Sequence, residues 1–126
     1  MKLEGNILSS VENIPHLRYI DLQNNSIRYI LPDSFLSTPD IAVLSLKQNK
    51  LIFIDCSSFI GLLHLQVLIL SDNNMKAVKE NTFANLKELA LLDMSLNLIS
   101  AENVLSVPAE TSLITVRSDI SLLCCA

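Results

Sequence analysis

The sequence has no tryptophan, only two glycines and no long uninterrupted apolar run. Half of its residues are apolar and 17% are charged, which excludes a disordered or low-complexity chain. A membrane-spanning helix needs about 20 apolar residues, and a secretory signal needs an apolar stretch of about 7 to 15 residues. The sequence contains neither pattern, so we expect no membrane contact by this chain itself. If the protein works outside the cell, we expect this chain to be a fragment.

Basic residues are also few. The net charge is −4, and the nine Lys and Arg are scattered from Lys2 to Arg117, whereas nucleic-acid binding calls for a clustered basic face. The sequence has no glycine-rich phosphate loop, and the repeat pattern places no cysteine or serine beside either histidine as a nucleophile. We therefore expect a protein that is not an enzyme, uses no cofactor or metal and binds no nucleic acid.

A strictly periodic repeat dominates the sequence. Residues 65–75 read L-x-x-L-x-L-x-x-N-x-apolar, and the same pattern opens at Leu17, Ile41, Leu65 and Leu89. An asparagine recurs at Asn25, Asn49, Asn73 and Asn97, and a phenylalanine recurs at Phe35, Phe59 and Phe83. We predict a single domain over residues 1–126, with repeats starting near 17, 41, 65 and 89, a degenerate last repeat near 113 and a partial repeat at 1–16.

Each recurring position has a physical role. The x-L-x-L alternation predicts short strands with inward leucines, and stacked copies predict a parallel sheet whose neighbouring strands lie about 4.8 Å apart. The asparagines are predicted to form a structural ladder that satisfies backbone groups where the chain leaves the sheet. The phenylalanines fill the core beneath the return path. On that path, we predict a short helical turn from Asn81 to Leu86 and a buried Cys56.

Two columns of side chains are predicted to point outward from the sheet. The first contains Tyr19, Val43, Val67, Leu91 and Thr115, and the second contains Asp21, Ser45, Ile69, Asp93 and Arg117. The first column is mostly apolar, and exposed apolar patches often mark interaction sites, although single exposed valines are normal on any protein. We interpret these columns as the binding surface for a protein or peptide ligand. The acids Asp21, Asp72 and Asp93 would suit a ligand with basic side chains.

A column of ionisable residues precedes the strands, at His16, Asp40, His64 and Glu88. Neighbouring histidines and carboxylates would form ion pairs that strengthen as histidine gains its proton in mildly acidic solution. These residue types are also metal ligands. The alternative is a row of solvated corner residues whose pairs contribute little to stability.

Two short patterns bear on the cellular compartment. Cys124 and Cys125 are adjacent, with Cα atoms about 3.8 Å apart, which is closer than ordinary disulfide geometry prefers. Each is therefore expected to pair with a cysteine beyond Ala126, unless the pair is an accident in a cytosolic protein. The triplet Asn24-Asn25-Ser26 matches the N-glycosylation pattern, and a glycan on Asn24 would favour an extracellular origin.

The 24-residue repeat with its phenylalanine resembles the typical repeat of extracellular leucine-rich-repeat proteins over about four-fifths of the chain. The end of the sequence, from Leu113 to Cys124-Cys125-Ala126, resembles the junction where leucine-rich-repeat G-protein-coupled receptors close their repeats. That class includes the relaxin and glycoprotein-hormone receptors. The resemblance implies an α/β leucine-rich-repeat solenoid, with a curved parallel sheet on its concave face and irregular or short helical returns on its convex face.

The same resemblance implies a function. The chain would be a fragment of the extracellular hormone-binding region of such a receptor, and its full-length parent would be anchored at the extracellular face of the plasma membrane. The outward columns would contact the hormone, and residues 124–126 would begin a cysteine hinge before seven transmembrane helices. The alternative is a leucine-rich-repeat scaffold or regulatory protein, secreted or cytosolic, without a signalling bundle.

Overall fold

The computed structural model describes residues 2–4, 7–10, 16–79, 81–100 and 115–117. Its strands are β1 (Lys2–Glu4), β2 (Ile7–Ser10), β3 (Tyr19–Asp21), β4 (Tyr29–Ile30), β5 (Val43–Ser45), β6 (Val67–Ile69), β7 (Leu91–Asp93) and β8 (Thr115–Arg117). No helix occurs among these residues. The hinge predicted at residues 124–126, with Cys124 and Cys125, lies outside the described residues.

The larger sheet has five parallel strands in the order β3-β5-β6-β7-β8. Equivalent residues of successive repeats are aligned across it, through Tyr19, Val43, Val67, Leu91 and Thr115. The middle residues of the first four strands point to the opposite side and are buried, at Ile20, Leu44, Leu68 and Leu92. The parallel sheet predicted from the x-L-x-L alternation is therefore confirmed.

A smaller sheet contains the remaining three strands, in the order β1-β2-β4. β1 is antiparallel to β2, and β2 is parallel to β4, with Ile7 aligned to Tyr29 and Leu8 to Ile30. β4 belongs to the return path of the first complete repeat, so this sheet lies on the return side rather than extending the larger one. The residues predicted as a partial repeat thus contribute strands to the return side.

The inward side chains of successive repeats form one continuous apolar core. Phe35, Phe59 and Phe83 are all buried beneath the return path. The rings of Phe59 and Phe83 are stacked, with centroids 6.2 Å apart and planes inclined by 21°. These two phenylalanines pack against each other across a repeat boundary. The apolar side chains beneath one return path are therefore buried in part by those of the next repeat.

Asn49 illustrates how the asparagines join neighbouring repeats. Its Nδ2 donates to the carbonyl oxygen of Leu46 in its own repeat at 3.0 Å and to that of Leu22 in the preceding repeat at 2.9 Å. Its Oδ1 accepts from the N–H of Ile27 at 3.1 Å. A single buried side chain therefore satisfies backbone groups of two repeats where no strand can do so.

The same bonds recur along the ladder. The Oδ1 atom of Asn73 accepts from the N–H of Leu51 at 3.0 Å, and that of Asn97 accepts from the N–H of Met75 at 3.2 Å. Asn73 is only 5% exposed. Asn25 is exposed, and its Nδ2 donates to two carbonyl groups of its own turn. The ladder is thus buried at its centre and open to solvent at its first member.

The residue before each ladder asparagine adopts a left-handed backbone. The φ angles are 56° at Asn24, 54° at Gln48, 58° at Asp72 and 54° at Leu96. A positive φ is uncommon outside glycine and is most unfavourable for β-branched residues. The positive φ recurs at the same position of these four repeats. The same tight turn therefore follows each strand and directs the next residue, the asparagine, into the ladder.

The return paths consist of turns, which corrects two predictions. Residues 81–86 contain two hydrogen-bonded turns, from the Ala84 N–H to the Asn81 carbonyl and from the Leu86 N–H to the Phe83 carbonyl, rather than a helical turn. Cys56 is exposed, not buried. The inward positions of its return are occupied by Ser58 and Phe59 instead.

Gly61 allows two returns to pack at backbone distance. Its φ is +99°, and a Cβ atom there would lie 2.7 Å from both the Leu36 Cα and the Phe35 carbonyl oxygen. Both neighbours are backbone atoms, which cannot move aside as a flexible side chain would. The close approach of the first and second repeats therefore requires glycine at this position.

We expect Asn73→Ala to lower the free energy of unfolding by about 2 to 5 kcal/mol, because it leaves several buried backbone groups unpaired at about 1 to 3 kcal/mol each. Asn74→Ala is the matched control, since Asn74 is exposed and we expect its replacement to cost less than about 0.5 kcal/mol. Urea unfolding followed by circular dichroism measures both. Equal losses in the two variants would contradict the role given to the ladder.

Candidate interaction surface

The outer face of the larger sheet carries the apolar column predicted from the sequence. Tyr19 is 57% exposed, and Val43, Val67 and Leu91 are each partly exposed. These four residues are aligned on adjacent strands, and aligned neighbours in a sheet lie within contact distance. They therefore form one continuous apolar strip that solvent can reach. We call the outer face of β3, β5, β6 and β7 the sheet surface.

The second outward column is less uniform than predicted. Asp21 is exposed, and Ile69 and Asp93 are partly exposed. Ser45 is only 5% exposed, so it offers little surface to a ligand, and its role as a ligand contact stays a prediction. It is aligned between Asp21 and Ile69. In the backbone register, Arg117 of β8 is aligned with Asp93 of β7.

Two carboxylates at the ends of the strands are held in fixed orientations. The Oδ1 atom of Asp21 accepts from the N–H of Gln23 at 2.9 Å. The Oδ1 atom of Asp93 accepts from the N–H of Ser95 at 3.1 Å and from its hydroxyl at 2.6 Å. These hydrogen bonds orient the two carboxylates along one edge of the apolar strip.

The histidine and carboxylate column lies at the opposite edge. The Nδ1 atom of His16 is 3.3 Å from Asp40 Oδ2, and that of His64 is 3.1 Å from Glu88 Oε1. The side chain of His16 is 90% exposed, and those of Asp40, His64 and Glu88 are about half exposed. Exposed pairs of this kind contribute between nothing and about 1 kcal/mol. The pairs therefore exist, but they add little to the cohesion of the repeats.

An open depression of about 300 Å³ lies beside these pairs and is lined by His16, Arg18, Asp40 and His64. Sequence reasoning did not single out Arg18. Arg18 could have been found from its position in the sequence. It directly precedes Tyr19, the first residue of β3, and therefore borders both the apolar strip and the ionisable column. In residues 16–79 and 81–100, no group of three or more His, Cys, Asp or Glu side chains is arranged to hold a metal ion.

Asn24, the predicted glycan acceptor, is exposed in a left-handed turn. Its neighbour Asn25 directs its amide to backbone carbonyl groups of the turn. Asn24 is therefore accessible from solvent, and its glycosylation stays a prediction.

Comparison with known families gives two matches. A leucine-rich-repeat family model matches residues 39–99, and a second leucine-rich-repeat model matches residues 16–37. The chain is a leucine-rich-repeat protein. Proteins of this kind are typically interaction modules without enzymatic activity, and they commonly bind other proteins. Neither match is specific to receptor ectodomains.

A search of curated proteins gave no match to the chain. No helix in the part of the chain that the structure describes is long and apolar enough to cross a membrane.

We expect the double variant His16→Gln, His64→Gln to change the free energy of unfolding by less than about 1 kcal/mol for each exposed pair. Thermal unfolding at about pH 5.5 and about pH 7.5 brackets the range where histidine changes charge. A large loss of stability confined to the acidic sample would contradict the assignment of these residues as solvated corner groups.

Proposed function

We propose that this protein binds a protein or peptide ligand on its sheet surface. The observation that carries the proposal is the continuous apolar strip formed by Tyr19, Val43, Val67 and Leu91. Parallel sheets are usually covered on both faces. The inner face of this sheet is buried in the core, whereas the strip on the outer face stays partly accessible. Binding of a ligand would complete the burial of this second face.

The charges beside the strip support a ligand with both apolar and basic side chains. Asp21 and Asp93 present oriented carboxylates, and Asp72 adds an exposed carboxylate after β6. Apolar contacts would supply most of the affinity because they remove area from water. The carboxylates would mainly fix the register of the ligand and speed its association.

We also propose the wider context implied by the receptor resemblance. In this reading the repeats form a curved solenoid, the sheet surface is concave, and the chain is part of an extracellular hormone-binding region. Its parent would lie at the plasma membrane, and Cys124 and Cys125 would begin a disulfide-linked hinge. The support is the 24-residue repeat with its phenylalanine, together with the Cys-Cys-Ala ending.

The alternative is a leucine-rich-repeat scaffold or regulatory protein, secreted or cytosolic, without a signalling bundle. Secreted proteins usually pair their cysteines, whereas a reducing compartment keeps thiols free. The pairing state of the exposed Cys56 in the purified protein would therefore help to separate a secreted from a cytosolic protein. The ligand would bind to the same surface in both contexts, so the compartment and the binding site are separate questions.

The experiment compares the full chain with the triple variant Val43→Glu, Val67→Glu, Leu91→Glu in a capture assay with secreted peptide hormones. We expect the affinity to fall by at least about tenfold, equivalent to ~1.4 kcal/mol, because three carboxylates interrupt the strip. The matched control is Leu36→Glu, Ile60→Glu, Leu63→Glu. These residues are exposed apolar side chains on the returns, and their replacement adds the same charge.

Circular dichroism and thermal unfolding check that both triple variants are folded. Retained binding by the sheet variant, or equal losses in the two variants, would place the ligand elsewhere on the molecule. Capture of cytosolic proteins but of no secreted peptide would support the scaffold and would remove the hormone-binding part of the proposal.

A further inference from the structure

The return side of the molecule gathers basic residues that look scattered in the sequence. Arg28, Lys76 and Lys79 are three of the nine Lys and Arg, and all three are exposed. They belong to the segments that follow the ladder asparagines, at residues 26–31 and 74–79. This concentration occurs in a chain whose net charge is −4.

Backbone hydrogen bonds place these segments side by side. The Lys50 N–H donates to the Ile27 carbonyl at 2.9 Å, and the Ile52 N–H donates to the Arg28 carbonyl at 3.3 Å. One repeat further, the Asn74 N–H donates to the Leu51 carbonyl at 2.9 Å. Outward residues of segments 26–31, 50–55 and 74–79 therefore share one side of the molecule, although a whole repeat of chain separates each segment from the next.

Exposed apolar side chains are interleaved with the cations. Tyr29 and Phe53 occupy equivalent positions in adjacent repeats and are exposed, as is Ile52. The Lys79 Nζ atom lies 4.8 Å from the centroid of the Phe53 ring, within the range of a cation–π interaction. We call Arg28, Tyr29, Ile52, Phe53, Lys76 and Lys79 the return surface.

Among the described residues, the carboxylate of Asp55 lies beside the return surface, near Lys79. The hydroxyl of Ser57 donates to Asp55 at 2.6 Å, and this bond, more than the nearby charge of Lys79, holds the pKa of Asp55 below its usual range. Asp55 is therefore a fixed negative charge next to the cations. A uniformly anionic partner, such as nucleic acid or a plane of lipid headgroups, would meet repulsion there.

We propose that the return surface binds a segment of a partner protein that carries both carboxylates and apolar side chains. Arg28 and Lys76 pair with the carboxylates, and Tyr29, Ile52 and Phe53 cover the apolar groups. This partner has the opposite charge to the one that suits the sheet surface, where Asp21 and Asp93 lie. The two surfaces therefore select different segments, and this proposal does not rest on the function proposed for the sheet surface.

The test measures binding of a fluorescein-labelled peptide of alternating glutamate and leucine pairs to the full chain. The double variant Arg28→Glu, Lys76→Glu reverses two cations of the return surface. Its matched control, Lys47→Glu, Lys87→Glu, also reverses two exposed cations, and both lie outside the return surface and the sheet surface. Polyglutamate of equal length and phosphatidylserine vesicles are the comparison probes.

We expect the return-surface variant to weaken binding of the glutamate–leucine peptide by about tenfold at low salt, and the effect to shrink as salt screens the charges. The control should stay within about twofold of the parent protein, as exposed charges away from a contact do. Phe53→Ser should also weaken the peptide complex while leaving the weaker polyglutamate complex unchanged.

Three outcomes would overturn the proposal. Equal losses in the two charge-reversal variants would mean that only net charge matters. Equal affinity for polyglutamate and the glutamate–leucine peptide would remove the apolar part of the site. Binding to phosphatidylserine vesicles without binding to the peptide would identify a membrane contact instead. The triple variant of the sheet surface should bind the peptide normally, so failure of one proposal is distinguishable from failure of the other.

Discussion

The hydrogen bonds of the ladder asparagines, which are buried at the centre of the ladder, are the interactions on which the rest of the structure depends. Strands of two to four residues leave most of the backbone polar groups without strand partners, and burial of such groups is costly unless they are paired. The asparagine solves this problem because its amide both donates and accepts. By bonding to its own repeat and to the preceding one, as Asn49 does, it also fixes the spacing of successive repeats.

Both proposed surfaces follow from that spacing. Once the ladder sets the register, every outward position becomes a column that crosses the molecule from repeat to repeat. The sequence can then vary within each column without disturbing the core. The apolar strip of the sheet is one such column, and the column of Arg28, Ile52 and Lys76 on the returns is another. The first lies before the asparagine turn and the second lies after it. A single structural period thus supports two chemically different faces.

Features that depend only on this period were predictable from the sequence. The inward leucines, the aligned strands and the buried phenylalanines recur once in each repeat, and alternation along a strand assigns their side. Features that depend on contacts between unlike neighbours were not predictable. Ser45 is buried although the alternation along its strand predicts an outward side chain, and Gly61 is required because the Leu36 backbone approaches it. The return surface was missed for a related reason, since Phe53 and Lys79 are distant in sequence and adjacent in space.

The boundaries between repeats are nearly identical to one another. The Ala42 N–H bonds to the Arg18 carbonyl, the Gln66 N–H to the Ala42 carbonyl and the Ala90 N–H to the Gln66 carbonyl, all at 2.8 Å. The strand backbones therefore meet in the same way at these three boundaries. Loss or duplication of one whole repeat, cut at corresponding points, would rejoin the strands through the same backbone bonds, while side-chain contacts such as the one at Gly61 would have to be matched anew. The number of repeats can thus change while the fold of each repeat stays the same. Recombination between repeats could enlarge or shorten a binding face without the need for a new fold.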